Sequence, residues 1–358
     1  MTERTVLHDL QKAAGGKIID FHGWDMPVQF TSIATEHQSV RTAAGLFDLG
    51  HMGRLHVQGT GSLRFLERRV CRPLADMASG AVRYGLVLAD DGTVEDDVLV
   101  SREGPDAWHV VVNASNKDKV LTLWRDGLGG DVVVRDLSAE QAMVAVQGPQ
   151  ALSHLSAIGL DGTGMKYYSF RDVTWHGTTV RLSRTGYTGE DGYECFMPAV
   201  RAAELWQALA GRGVALCGLG SRDTLRLEAG MPLYGNELDR AHTPVEAGLG
   251  FAVNKQGGFI GDTIVLEQLA KGPARKLVGI RMCDKRVPRS RYPILVGGTA
   301  AGEVTSGTLS PTLGAAIGMA YVSAAHASDG TRVQVDIRGT TCDADIVKLP
   351  FYKRAKAQ

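Results

Sequence analysis

Residues 84–100 read YGLVLADDGTVEDDVLV. Two apolar runs flank Asp90-Asp91-Gly92, and Asp-Gly between alternating hydrophobics signals a β-hairpin. Period two places Val94, Asp96, Val98 and Val100 on one strand face and Glu95, Asp97 and Leu99 on the other. Adjacent strands joined by a tight turn argue against a doubly wound parallel sheet, whose strands are separated by helices. The expected fold class is α+β.

Working outward, helical and strand patterns mix over the first 270 residues. Helices are expected from near Ser32 to before Gly45, in GSLRFLERRV with Leu63, Leu66 and Val70 on one face, and in SNKDKVLTLWRDG behind a Ser/Asn cap. In GPQALSHLSAIG, Pro149 is expected at the first helical position and Gly159 past the end. RAAELWQALAG and SRDTLRLEAG complete the helices. Strands are expected in GRLHVQG, RYGLVLA, TVEDDVLVS, WHVVVNA, AMVAVQG and TVRLSRTG. After about residue 272 only short strands remain, in KLVGIRM, PILVGGTAAGEVTSG, AIGMAYVS, RVQVDIRG and DADIVKLP. That change marks a separate all-β barrel or sandwich.

The chain has 358 residues, with 39 Lys+Arg against 39 Asp+Glu. A balanced charge argues against nucleic acid as the main partner. Five scattered cysteines with no C-x-x-C pair read as reduced thiols in a cytoplasmic setting, although a processed organellar form stays open. No apolar run reaches the length of a membrane span, and MTERTVLHDL lacks a signal-peptide core.

No phosphate-cradling loop, histidine-rich zinc pattern or nucleophile elbow is present. Four stretches remain. In VEDDVLV one aspartate is expected inward, where burial raises a carboxyl pKa and suits it to proton transfer; alternation alone does not choose between Asp96 and Asp97. The stretch GLFDLGHMG reads as a helix end and a glycine-flanked turn whose His51 is either a base or satisfied by backbone. Arg222 and Arg226 share a helix face, either in a site or in ion pairs with Asp223 or Glu228. RTGYTGEDGYE at 184–194 packs three glycines, three acids and two tyrosines into eleven residues. It reads as a turn between strands or as a loop closing on a flat polar ligand.

Taken in order, DFHGWDMPVQF, GLFDLGHMG, GTVEDDVLV, VVNASN, VQGPQ, SRTGYTGEDGYE, GLGSRDTLRLEAGMPLYGNELD, TPVEAGLGFAV, EVTSGTLSPTLG and LPFYKR resemble the aminomethyltransferase family of the glycine cleavage system, the T-proteins. The resemblance spans nearly the whole chain. It implies a multidomain folate-binding fold: residues 1–50 with 138–225, residues 51–137 with 226–272, and a β-barrel over 273–358.

The resemblance implies transfer of a methylene carbon from an aminomethyl group on the lipoyl arm of H-protein to tetrahydrofolate, with release of ammonia. It implies lipoylated H-protein as partner, with the other glycine cleavage components indirect, and neither nucleic acid nor membrane. Tetrahydrofolate is the acceptor, with no metal, flavin or nucleotide. By match, Asp97 is the catalytic carboxylate, Glu194 clamps the pterin edge, Tyr187 lines the folate site and Arg222 donates to it; Met52, Tyr84 and Asn113 match further pocket positions. The glycines of GYTGEDGYE are expected to let backbone pass close to the ring. Two departures stand out: Glu95 replaces an apolar residue on Asp97's own face, and Gly50 replaces a serine. The alternatives are a folate-dependent demethylase and a non-catalytic folate-binding relative. The basic run KRVPRSR at 285–291 is a docking patch or a solvated loop.

Overall fold

The computed structural model describes residues 2–354. The chain divides into two compact units. The first comprises the chain up to Glu67 with Pro73–Gly85 and Val98–Asp223; the second comprises Arg68–Arg72, Leu86–Asp97 and the chain from Thr224 onward.

In the first unit a six-stranded sheet runs Phe170–Trp175, Thr178–Ser183, Gly192–Pro198, Gln141–Gln147, Gly45–Asp48, Ala215–Leu216. All its pairings are antiparallel except the last. Its apolar residues Leu46, Val144, Val146 and Leu182 are buried together with Leu205 and Trp206 of the helix Ala202–Ala210. A three-stranded sheet joins Glu3–Arg4, Trp24–Gln29 and Lys17–Phe21. A five-stranded sheet runs Val82–Leu88, Val94–Arg102, Ala107–Val112, Gly53–Gln58, Val133–Asp136.

The expected hairpin is there. Ala89 N–H donates to Thr93 O at 3.0 Å, Gly92 N–H donates to Ala89 O at 2.9 Å, and Gly92 takes φ +75°, which glycine adopts without strain. Burial alternates from Val94 to Val100 as period two demands: Val94, Asp96, Val98 and Val100 are buried, and Glu95, Asp97 and Leu99 are half-buried.

The second unit ends in a closed antiparallel barrel of Arg275–Met282, Ala316–Ser323, Thr299–Leu309, Pro293–Val296, Arg332–Ile337 and Thr340–Val347. PILVGGTAAGEVTSG holds two of these strands, turning at Gly297 and Gly298, both with positive φ. Closure leaves no sheet edge, and Ile280, Ile294, Val304, Val335 and Ile346 fill the interior. Arg226 and Glu237, both buried, pair at 2.7 Å. Their remaining groups reach the barrel: Arg226 donates to Ser306 Oγ at 2.8 Å, Thr305 Oγ1 donates to Glu237 at 2.6 Å, and Tyr321 OH donates to Glu237 O at 2.8 Å. Arg226 is thus engaged by Glu237, a residue of the GNELD motif.

Local differences have local causes. The helix Ile33–Thr42 starts beside Ser32 as expected, and Ser32 caps it, accepting from Thr35 N–H at 3.1 Å. GSLRFLERRV buries Phe65 and Leu66 but leaves Leu63 half-buried. Lys117–Arg125 starts through the 3₁₀ turn Ala114–Asn116, without a side-chain cap from Asn116. Pro149 lies in a turn and the helix starts at Ala151, while Gly159 ends it at φ +88°. GLFDLGHMG holds a fully buried strand, Gly45–Asp48, before its turn. Among the described residues no helix is long and apolar enough to cross a membrane.

Candidate functional site

Residues 184–191 are a long hairpin connection between Thr178–Ser183 and Gly192–Pro198, and their charges are met within the protein. Arg184 pairs with Asp191 through two contacts of 3.0 and 2.5 Å. Arg41 donates to Glu190 at 3.0 Å and to Thr188 O at 2.7 Å. Two of the glycines have a use within the protein itself. A Cβ on Gly186 would lie 2.0 Å from Gln147 Oε1, and one on Gly192 would lie 2.6 Å from Gln147 Nε2. These two make room for a buried side chain of the protein itself. Gly189 takes φ +79°.

The third acid is different. Glu194 stands opposite Ala145 and Ser183 in the sheet, 3 % exposed. One of its oxygens accepts from Thr185 Oγ1 at 2.6 Å, and Thr185 in turn shares a 2.9 Å hydrogen bond with the Ser183 hydroxyl. Burial pushes its carboxyl pKa up, against the pull of Thr185 and of the Arg222 charge.

Arg222 comes from the helix Leu219–Glu228. The buried Glu36 fixes where that helix starts: its two oxygens accept from Phe30, Thr31 and Gly218 N–H at 2.6, 3.0 and 2.8 Å. The Arg222 guanidinium lies 4.8 Å from the Tyr187 ring centroid, and its buried Nη1 has no hydrogen-bond partner among the described residues. The match thus named three residues, Glu194, Arg222 and Tyr187, that this unit brings together.

His51 lies in the turn after Gly45–Asp48. It is buried, packs edge-on to Phe21 at 5.8 Å, and its Nδ1 also lacks a partner among the described residues. Backbone does not satisfy it there, which corrects one of the two readings of this histidine. Burial, and then the charge of Arg222, push its pKa down to about 3, so the ring is neutral at pH 7.

Arg54, which no motif singled out, holds this turn. It donates to Gly50 O at 2.9 Å, to Met52 O, to Ser138 O, and to Gln141 O at 2.7 Å. Asp48 accepts from Thr5, Gln11 and the Gly50 N–H at 2.6, 2.5 and 2.8 Å. At Gly50 a Cβ would stand 3.0 Å from Asp48 Oδ1 and 3.2 Å from Thr5, so glycine suits the packing here.

Met52 is half-buried at the end of the same turn. Tyr84 is a half-buried residue of the strand Val82–Leu88, and Asn113 follows Ala107–Val112, accepting from Asn116 N–H at 3.0 Å. In the second unit, Asp97 is half-buried and Asp96 is fully buried on the apolar face of the strand. Glu95 is engaged by Arg240 at 2.5 Å, and that arginine also reaches Asp91 at 3.3 Å. A local cation therefore answers the extra acid.

Two buried histidines set an acid limit. His109, held to Gln141 at 2.9 Å, has its pKa pushed down to about 4 by burial and then by Arg181; His51 is at about 3. The unfolded chain protonates both near the ordinary value of about 6.5. Their stabilising effect is complete above that pH and is lost as pH falls, because only the unfolded state takes up the protons. Each should cost about 1.4 kcal/mol per pH unit below about 6. Urea unfolding between pH 6 and pH 5 should therefore lose about one proton of its pH slope in His109→Gln. An unchanged slope would rule this account out.

The described family models agree with both halves of the fold. The GCVT N-terminal domain matches residues 7–257, and the glycine cleavage T-protein C-terminal barrel domain matches residues 275–353. An aminomethyltransferase of Geobacillus kaustophilus is 46 % identical over 364 residues, covering 99 % of this chain and 100 % of the relative. One from Bacillus cereus is 44 % identical over 362 residues, covering 99 % of each. The crystal structure of glycine cleavage system aminomethyltransferase T from Bartonella henselae superposes with a TM-score of 0.94 at 31 % identity, covering 99 % of both chains. With two family models, full-length relatives and a full-length structural counterpart in agreement, the chain belongs to the glycine cleavage T-protein family of aminomethyltransferases.

Proposed function

We propose that the protein transfers the methylene carbon of an aminomethyl group, carried on the lipoyl arm of H-protein, to tetrahydrofolate, releasing ammonia and the dihydrolipoyl arm. The observation that carries this reading is the buried group of Glu194, Arg222 and His51. One Glu194 oxygen is pinned by Thr185, and two buried polar atoms, Arg222 Nη1 and His51 Nδ1, have no partner among the described residues. Buried polar atoms without partners are uncommon and call for an explanation. A pterin supplies one, because its amino group and ring N–H suit a bidentate carboxylate and its acceptors suit a guanidinium.

Tetrahydrofolate, when bound, would supply the nitrogen that accepts the carbon. In this reading Glu194 binds and orients the pterin edge, Arg222 donates to the ring system, and Tyr187 lies against Arg222 and lines the site. Met52, Tyr84 and Asn113 serve as further lining positions. Asp97 orients the folate and handles a proton as the carbon is attacked. The five unbridged cysteines suit a reducing compartment, the cytoplasm. Ammonia release from aminomethylated H-protein, measured with and without tetrahydrofolate, tests the reading. Release that ignores tetrahydrofolate, or no release at all, would overturn it.

The basic run 285–291 supports the partner assignment with one revision. Arg286 is held by Asp284 at 2.7 and 2.5 Å, so its charge is largely matched locally. Arg289 and Arg291 are exposed, and Arg291 borders a cavity of about 500 Å³ within the second unit. The family resemblance implies an acidic carrier, and docking it on a neutral protein needs local positive charge. Arg289→Glu with Arg291→Glu should raise the KM for aminomethylated H-protein severalfold at low salt. The penalty should shrink as salt screens charges beyond about 8–10 Å, and tetrahydrofolate affinity should hold. Normal carrier kinetics at low salt would assign the run to solvated surface.

A further inference from the structure

We propose that Gln147 is the positioning residue of the folate site, acting through the loop 184–191. This deepens the folate reading above and rests on it. Gln147 ends the strand Gln141–Gln147 and is 0 % exposed. Its amide threads the loop: Nε2 donates to Thr185 O at 3.1 Å, and Oε1 accepts from Thr188 Oγ1 at 2.9 Å. The loop is built to admit it, since any side chain at Gly186 or Gly192 would collide with this amide.

The two residues it grips bracket the site. The Thr185 hydroxyl holds Glu194 Oε2 at 2.6 Å. Tyr187, which lies over Arg222, sits between Gly186 and Thr188. A further backbone bond closes the arrangement next door: Gly148 N–H donates to Asp191 O at 2.7 Å. Gln147 therefore sets the backbone position of Thr185, which decides which Glu194 oxygen is pinned and which is left for a ligand. It touches neither Glu194 nor Arg222 in any contact described, so its effect is on their placement.

The amide needs one donor and one acceptor at once, and few side chains supply both in that geometry. Gln147→Met keeps an unbranched chain of similar length and loses both bonds. Loss of two buried hydrogen bonds at the loop should weaken tetrahydrofolate binding about 10-fold, with the loss falling on affinity more than on kcat. Thr188→Val removes one of the same bonds from the other end and should weaken binding in the same sense.

Gln147→Glu supplies a reading that simple destabilisation would not give. A protonated carboxyl presents an O–H to Thr185 O and a carbonyl to the Thr188 hydroxyl, as the amide does; the carboxylate presents only acceptors. Burial raises such a pKa. The affinity deficit of Gln147→Glu relative to wild type should therefore shrink as pH falls from 8 to about 6. Calorimetric titration of each full-length variant with tetrahydrofolate, beside thermal melts, tests this. Variants that melt lower but bind as wild type, with no pH-dependent recovery in Gln147→Glu, would overturn the positioning role. A wild-type protein without measurable tetrahydrofolate affinity would instead overturn the folate reading.

Discussion

Asp97→Asn should lose about 10²-fold or more in turnover, the scale of a positioned proton-transfer group, while tetrahydrofolate affinity changes less. The strand Val94–Arg102 gives the two neighbouring aspartates different surroundings. Asp96 is 0 % exposed and shares its face with Val94, Val98 and Val100, so its replacement should register as lost stability. Asp97 lies on the half-buried face, where a carboxylate stays accessible to a substrate. Glu95, on the same face, is engaged by Arg240. Asn keeps the shape of Asp and removes the ionisable proton site. Single-turnover measurements on both variants decide the assignment: a crippled Asp96→Asn beside a nearly normal Asp97→Asn would reverse it.

Glu194→Ala should weaken tetrahydrofolate binding about 30-fold or more, since a buried carboxylate paired with a donor edge contributes about 2–4 kcal/mol when its loss strands those donors. Two further losses add to this. Thr185 Oγ1 loses its acceptor, and Arg222 loses the carboxylate that favours its charged form. On the proposed reading the clamp works as a carboxylate, and burial raises the Glu194 pKa. Wild-type affinity should therefore begin to fall at a higher pH than an ordinary glutamate would give, as pH drops through that raised value. Calorimetry showing unchanged affinity in Glu194→Ala would remove the pterin clamp from the mechanism.

Much of this was legible in the residues. Alternation in TVEDDVLVS put the two aspartates on opposite faces without telling which is buried, and Asp90-Asp91-Gly92 marked the turn. The motif match picked out Glu194, Arg222 and Tyr187, which the first unit then brings together. What escaped has physical reasons. Gly45–Asp48 is too short for alternation to register, and its neighbours carry the helical period of Ile33–Thr42. The helix Asp262–Lys271 starts behind Gly261 at φ +78°, with no Ser, Thr, Asp or Asn cap to announce it. Gln147 is a lone polar residue at a strand end, and its importance lies in contacts some forty residues away in sequence. One signal for it was present: glycines at 186, 189 and 192, two of which leave room for that side chain. His51 carries no pattern by itself, because an unpartnered ring nitrogen is visible only once every neighbour is placed.

The buried pair of Arg226 and Glu237 bears on how such a chain can be divided. Glu237 receives the hydroxyl of Thr305 through its side chain and that of Tyr321 through its backbone, while Arg226 holds Ser306. Leu227 is buried with Ile317 and Met319 of the barrel wall. A barrel excised at residue 275, where its family model begins, would lose the bonds that Thr305, Ser306 and Tyr321 make to Glu237 and Arg226 and would carry an uncovered apolar patch. Any piece that transplants or recombines this barrel must thus carry more than the barrel strands: the unit of inheritance includes the helix end and the GNELD loop that come before it.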